Sequence, residues 1–190
     1  RHDLVKASTL RGTVFTSGRE QFAWAQRIAR EGRAEFLAAQ TKVPVEHVRD
    51  LITVVEQRAA DWAPWEDLLD HARTLMAAGP PELSSRADQV RFLLWGQAGL
   101  LRRPSDGAWH RRTDVLRRSA RVALPDLVEP AFEEAVTAMV ERHLRAYGPA
   151  TKDDICFYLG LRRTPVNRAL TALGEAISTG EGPAGQPMFD

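Results

Sequence analysis

The stretch RAYGPATKDDICFYLGLRRTPVNRALTAL, Arg145–Leu173, decides the fold. Gly148-Pro149 ends whatever helix runs into it, because Pro removes a backbone donor and clashes with the preceding turn. Thr151 stands where an N-cap belongs, and Asp153 and Asp154 occupy the first turn, where carboxylates favour the positive end of the helix dipole. Gly160 closes this short helix in the way left-handed C-caps do. Pro165, just after Thr164, suits the first turn of the next one. Two short helices joined by a tight turn predict a helix-turn-helix. Helical spacing turns Ile155, Tyr158, Val166, Leu170 and Leu173 inward. Arg163, Asn167, Arg168 and Thr171 are left facing out.

Outward from this centre the same order of elements recurs. Upstream, Phe132, Val136, Met139, Val140, Leu144 and Tyr147 form a helical stripe. Downstream, the Gly-rich run from Glu175 to Asp190 reads as a hairpin, and so as a wing. The two-proline segment Val122–Pro130 has no period and reads as a linker. Earlier, Val45, Val48, Leu51, Ile52 and Val55 repeat behind Pro44. Leu68, Leu69, Ala72, Leu75 and Met76 share a face behind Pro64 and stop at Gly79-Pro80-Pro81. Ser84 or Ser85 is expected to cap a helix carrying Val90, Leu93 and Leu94. A hairpin follows, Leu100–Arg103 and Ala108–Thr113, turning at Pro104–Gly107, since Asp-Gly accepts positive φ. At the start, two strand-like runs flank a turn at Leu10-Arg11-Gly12, and Ser17 with Glu20 predicts a capping box opening a long helix.

The expected fold is mainly α with small β-hairpins (α+β), as tandem winged-helix units. Residues 1–43 would be the end of a first unit with connecting helices, 44–121 a second and 122–190 a third. On this reading the chain is an internal piece of a longer protein.

Composition excludes several classes. The single Cys156 rules out a disulfide framework or a cysteine zinc site within the chain, and a small core role is expected for it. No apolar run approaches membrane-spanning length, and the five histidines lack metal spacing. No Gly-rich phosphate loop, G-x-S-x-G or H-E-x-x-H occurs. No cofactor, no metal and no catalytic group is expected here, and the expected setting is cytoplasmic. The net charge of +1 is silent about partners, but arginines cluster at Arg102–Arg103, Arg111–Arg112, Arg117–Arg118 and Arg162–Arg163. Arg-rich usage fits a GC-rich genome as well as phosphate binding.

In a helix-turn-helix the first residues of the second helix meet base edges. Arg162, Arg163, Asn167 and Arg168 are therefore the candidate DNA-binding residues there, since Arg and Asn form paired hydrogen bonds with guanine and adenine. Arg102, Arg103, Arg111 and Arg112 are the candidates on the earlier wing, with Trp109 and His110 between them. A solvated basic face or a protein-contact module is the plainer alternative. Histidine 143 beside its apolar stripe, Asp153–Asp154, and the acidic pairs Glu133–Glu134 and Glu66–Asp67 all read as structural or solvated.

TLRGTVF (Thr9–Phe15), HLRAYGPATKDDICFYLGL (His143–Leu161) and GQPMFD (Gly185–Asp190) resemble segments of the bacterial winged-helix proteins that include the AlkZ/YcaQ DNA glycosylases. Those proteins show an RGTLH-like strand and an AYGPAT…D…W.GL helix-turn-helix; here Phe15 stands where that strand has His. The resemblance implies tandem winged helices that bind double-stranded DNA and assist excision of bulky alkylated bases, some within interstrand crosslinks, by N-glycosidic hydrolysis. It also implies a Gln-x-Gln or Gln-x-Asp catalytic motif ahead of the RGT strand and a C-terminal domain. Neither is expected within residues 1–190, whose glutamines form no such pair. The implied partner is duplex DNA, with no membrane, and a monomer is expected. The alternative of another class is a winged-helix DNA-binding protein or transcriptional regulator without glycosylase activity.

Overall fold

A computed structural model of the chain describes residues 4–94, 99–107 and 114–190. It opens with an antiparallel hairpin, β1 (Leu4–Ser8) and β2 (Val14–Gly18), in register from Leu4↔Gly18 to Ser8↔Val14. Its turn is a short 3-10 segment in which Arg11 has φ 54° and Gly12 φ 74°. Gly enters that left-handed region freely, whereas Arg does so against its own Cβ. Helix α1 (Arg19–Thr41) follows at once. The capping box expected from Ser17 does not form: the strand runs on through Gly18, Ser17 stays paired with Val5, and Gly18 becomes the N-cap.

α1 is a wall shared by three apolar clusters. Phe22 packs with Val5, Ala7, Leu101 and Leu124. Ala25 and Ile28 pack with Leu10 and the C-terminal third of the chain. Ala34 and Leu37 pack with the middle third. Burying a side chain of the size of Leu or Phe stabilises by about 1.5–3 kcal/mol, so one helix fastens all three.

In the middle third, α2 (Val45–Arg58) starts behind Pro44 and buries Val48, Leu51, Ile52 and Val55. β3 (Ala63–Pro64) leads into α3 (Trp65–Ala77), which buries Leu68, Leu69, Ala72 and Met76. Leu75, expected on that face, is exposed, because Met76 takes the inward position of that turn. The helix expected from Ser84 or Ser85 is broken into α4 (Pro81–Ser84), a 3-10 turn at Ala87–Gln89 and α5 (Val90–Leu93). Pro81 at the first helical position starts α4 early, so neither serine caps the later piece.

β4 (Leu100–Arg103) pairs with β5 (Leu116–Ser119) from Leu100↔Ser119 to Arg103↔Leu116, and on its other edge with β1 at Ala7↔Leu101. The result is a five-stranded antiparallel sheet, β2-β1-β4-β5-β3. The N-terminal hairpin thus extends the sheet of the middle third. The strand expected at Ala108–Thr113 lies outside the described residues; the strand seen against β4 is Leu116–Ser119.

α6 (Ala120–Ala123) opens the segment read as a linker, and Leu124 after it is buried. α7 (Phe132–Tyr147) buries Val136, Met139, Val140 and Leu144, while Tyr147, on its last turn, is exposed. β6 (Ala150–Thr151), α8 (Lys152–Leu159), α9 (Arg163–Leu173), β7 (Thr179–Glu181) and β8 (Pro187–Phe189) complete the chain, with sheet order β6-β8-β7. α7, α8 and α9 enclose Ile155, Leu159, Val166 and Leu170, and Cys156 is half-buried at the edge of that cluster. The fold is mainly helical with small antiparallel sheets. Among the described residues no helix is long and apolar enough to cross a membrane.

One mid-helix glycine positions the site. A Cβ on Gly32 of α1 would lie 3.3 Å from both the Gly160 carbonyl oxygen and Leu161 Cδ2. The bare backbone there lets α1 approach the turn between α8 and α9 closely.

Candidate nucleic-acid interface

The turn between α8 and α9 is fixed at both ends by local chemistry. Thr151 and Asp154 form the capping box: the Asp154 amide donates to Thr151 Oγ1 at 3.2 Å, and the Thr151 amide donates to Asp154 Oδ2 at 3.0 Å. The Thr151 hydroxyl also donates to Asp154 Oδ2 at 2.6 Å. These bonds, first from the side chain and then from the backbone of Thr151, hold the Asp154 carboxyl below its ordinary range. At the other end Gly160, at φ 69°, donates its amide to the Cys156 carbonyl at 2.9 Å. Arg162 is the N-cap residue of α9 in extended conformation.

Arg162, Arg163, Asn167 and Arg168 are all exposed, as is Thr171, while Val166, Ala169 and Leu170 face the core. The helical phase read from the sequence therefore holds, and the four candidates lie together. They are not equally free. Arg163 grips Asp153 with two bonds, Nε to Oδ1 at 3.0 Å and Nη2 to Oδ2 at 2.8 Å, and this partner raises its pKa. Arg168 reaches toward Glu133 at the start of α7, at 4.0 Å. Arg162 and Asn167 have no ion-pair or hydrogen-bond partner among the described residues. Beside them a groove of about 560 Å³ separates α9 from α1, lined by Gly32, Glu35, Phe36, Arg162, Pro165 and Arg168 among others.

The wing candidates are placed differently. Arg102 is half-buried, donates from Nη1 to Ser8 Oγ at 2.9 Å, and has its pKa lowered by burial against the pull of Asp114. Arg103, next along the strand and so on the other face, lies over the Trp62 ring at 4.2 Å. Arg111 and Arg112 lie outside the described residues, with Trp109 and His110.

Arg117, singled out only as part of an arginine doublet, is buried at 7% exposure. It is the direct cross-strand partner of Arg102. Its Nη1 donates to the Asp114 and Leu116 carbonyls at 2.6 and 3.0 Å, and its guanidinium lies 5.2 Å from the Trp65 ring centre. Burial, then the neighbouring charge of Arg102, pushes its pKa down to about 10 against the pull of Asp114. The signal that could have found it is strand alternation, which sends one member of the doublet inward.

No curated protein matches the chain significantly. Among solved structures, the Streptomyces sahachiroi DNA glycosylase AlkZ shares the fold, with a TM-score of 0.72 and 16% sequence identity. The match covers 98% of this chain and 52% of that one, so the chain spans about half the length of its structural relative. The family model for DNA glycosylase AlkZ-like proteins matches residues 1–190. With that model covering every residue of the sequence, the chain belongs to the AlkZ-like DNA glycosylase family.

Proposed function

We propose that this chain is a duplex-DNA-binding segment of a DNA glycosylase-like repair protein that acts on bulky alkylated bases or crosslinks. The family match over residues 1–190 carries the reading. It favours a repair protein over a transcriptional regulator built from the same elements. In this proposal the three-helix sets followed by hairpins are winged-helix units, with boundaries near 44–121 and 122–190 and the tail of another in 1–43. α9 is the helix presented to the groove of the duplex. Arg162, Arg163 and Arg168 contact phosphate and Asn167 can reach a base edge. Arg103 and the wing residues Arg111 and Arg112 add backbone contacts, whereas Arg102 is tied to Ser8.

Phosphate contacts dominate such affinity and make it salt-dependent. The test is duplex binding by anisotropy between about 50 and 200 mM salt. Replacing Arg162 and Arg163 together by Ala is expected to weaken binding and to reduce the slope of log K against log salt by about one to two. Unchanged affinity and slope would remove α9 from the interface. Release of an alkylated base from duplex DNA, measured separately, tests the repair reading against a binding-only regulator.

A further inference from the structure

We infer that Arg11 is a phosphate-contacting positioning residue, part of the same face as Arg162 and Arg163 and built into the turn of the first hairpin. The backbone at Arg11 is the first sign. Its φ of 54° and ψ of 18° are left-handed values that a long side chain adopts against steric resistance. The side chain is then held in place. Its Cγ passes 3.3 Å from where a Cβ on Gly160 would sit, so the absence of a side chain at Gly160 makes its path. Its guanidinium lies 4.7 Å from the centre of the Phe157 ring.

Phe157 is 73% exposed, far more than packing of a large apolar ring calls for. It stands four residues after Asp153 and therefore on the same face of α8. Asp153 in turn holds Arg163 at the start of α9. Arg11 on Phe157 and Arg163 on Asp153 thus meet the same face of α8, the second pair at the N-terminus of α9. Arg11 has no acidic partner and no hydrogen bond among the described residues. A charged fork clamped on a ring, with its donors left over, suits the paired oxygens of a phosphodiester.

This inference rests on the duplex-binding reading, and its test separates the two. Arg11→Gly in the 190-residue chain is expected to bind duplex severalfold more weakly and to lower the salt slope by about one, the release expected for one phosphate contact. Its melting temperature is expected to hold or rise, since Gly accepts the left-handed backbone. Arg11→Gln keeps the stem over Phe157 without the charge and is expected to lose the same unit of slope, while Arg11→Lys keeps it. Lower melting with an unchanged slope in Arg11→Gly, or unchanged slopes in both neutral variants, would show a purely structural clamp and overturn the inference. A wild-type chain that fails to bind duplex at low salt would overturn the underlying reading itself.

Discussion

Arg162 and Arg163 stand exposed where α9 begins, whereas Arg102 and Arg117 face each other across the β4–β5 ladder, one half-buried and the other buried. Cations directly opposed in a ladder repel. The sheet accepts them because each has local acceptors: Arg117 has two backbone carbonyls and the Trp65 ring, and Arg102 has the Ser8 hydroxyl. Close by, Lys6 holds the buried Asp114 carboxylate at 2.8 Å. The difference between the two sets lies in backbone period. A doublet in a strand puts one side chain on each face, so one of the two turns inward. A doublet that spans a turn and a helix start leaves both outside, where a partner can reach them.

The largest way to break this comparison is to remove Arg117. Arg117→Ala is expected to cost about 2–4 kcal/mol of stability, from lost packing of its stem and from carbonyls left without a donor. Its effect on the salt slope of duplex binding should be negligible. Arg162→Ala with Arg163→Ala should do the reverse, leaving chemical-denaturation stability within about 0.5 kcal/mol of wild type. A stable Arg117→Ala that lost duplex affinity would exchange the roles of the two sets.

A second buried base sharpens the comparison through pH. His143 on α7 is 8% exposed, its ring 4.4 Å from Tyr158 and 5.4 Å from Tyr147, and its Nδ1 has no hydrogen bond. Burial lowers its pKa, opposed only in part by Asp154. The unfolded chain therefore takes up this proton at a higher pH than the folded one. His143 costs no stability above about pH 6.5, and the fold loses stability as pH falls from there through the lowered value. Urea midpoints of wild type are expected to drop between about pH 7.5 and about pH 5, with a smaller drop in His143→Gln. Equal drops in both would place the acid sensitivity elsewhere. Arg117, by contrast, stays charged throughout this range.

How much of this was legible follows the same division. The two short helices and the turn between them are written locally: Thr151 and Asp154 cap α8, Gly160 closes it, and the outward phase of Arg163, Asn167 and Arg168 needs only 3.6-residue spacing. What escaped depends on distant partners. The pairing of β1 with β4 joins residues more than 90 positions apart, and no turn signal announces it. The burial of Arg117 follows from which face of that sheet is covered. The break at 81–93 comes from Pro81 starting a helix before the serines could cap one. The three arginines at α9 looked equivalent in sequence, yet Asp153 engages one and Glu133 lies near another, because α7 and α8 bring those acids alongside.

That inequality gives the smallest and most discriminating effect. Asp153→Asn removes the carboxylate that Arg163 grips without touching the arginine itself. Exposed ion pairs are weak and screened, so stability should barely change. If α9 meets the duplex as proposed, the guanidinium is released to phosphate while a like charge leaves that face. Duplex affinity at low salt is expected to rise about two- to fivefold, and the gain should fade as salt increases. In an Arg163→Ala background the same substitution should yield a smaller gain, since only the removal of a negative charge remains. Equal gains in both backgrounds would mean that Asp153 acts as a bare charge near the duplex and that its grip on Arg163 is incidental to binding.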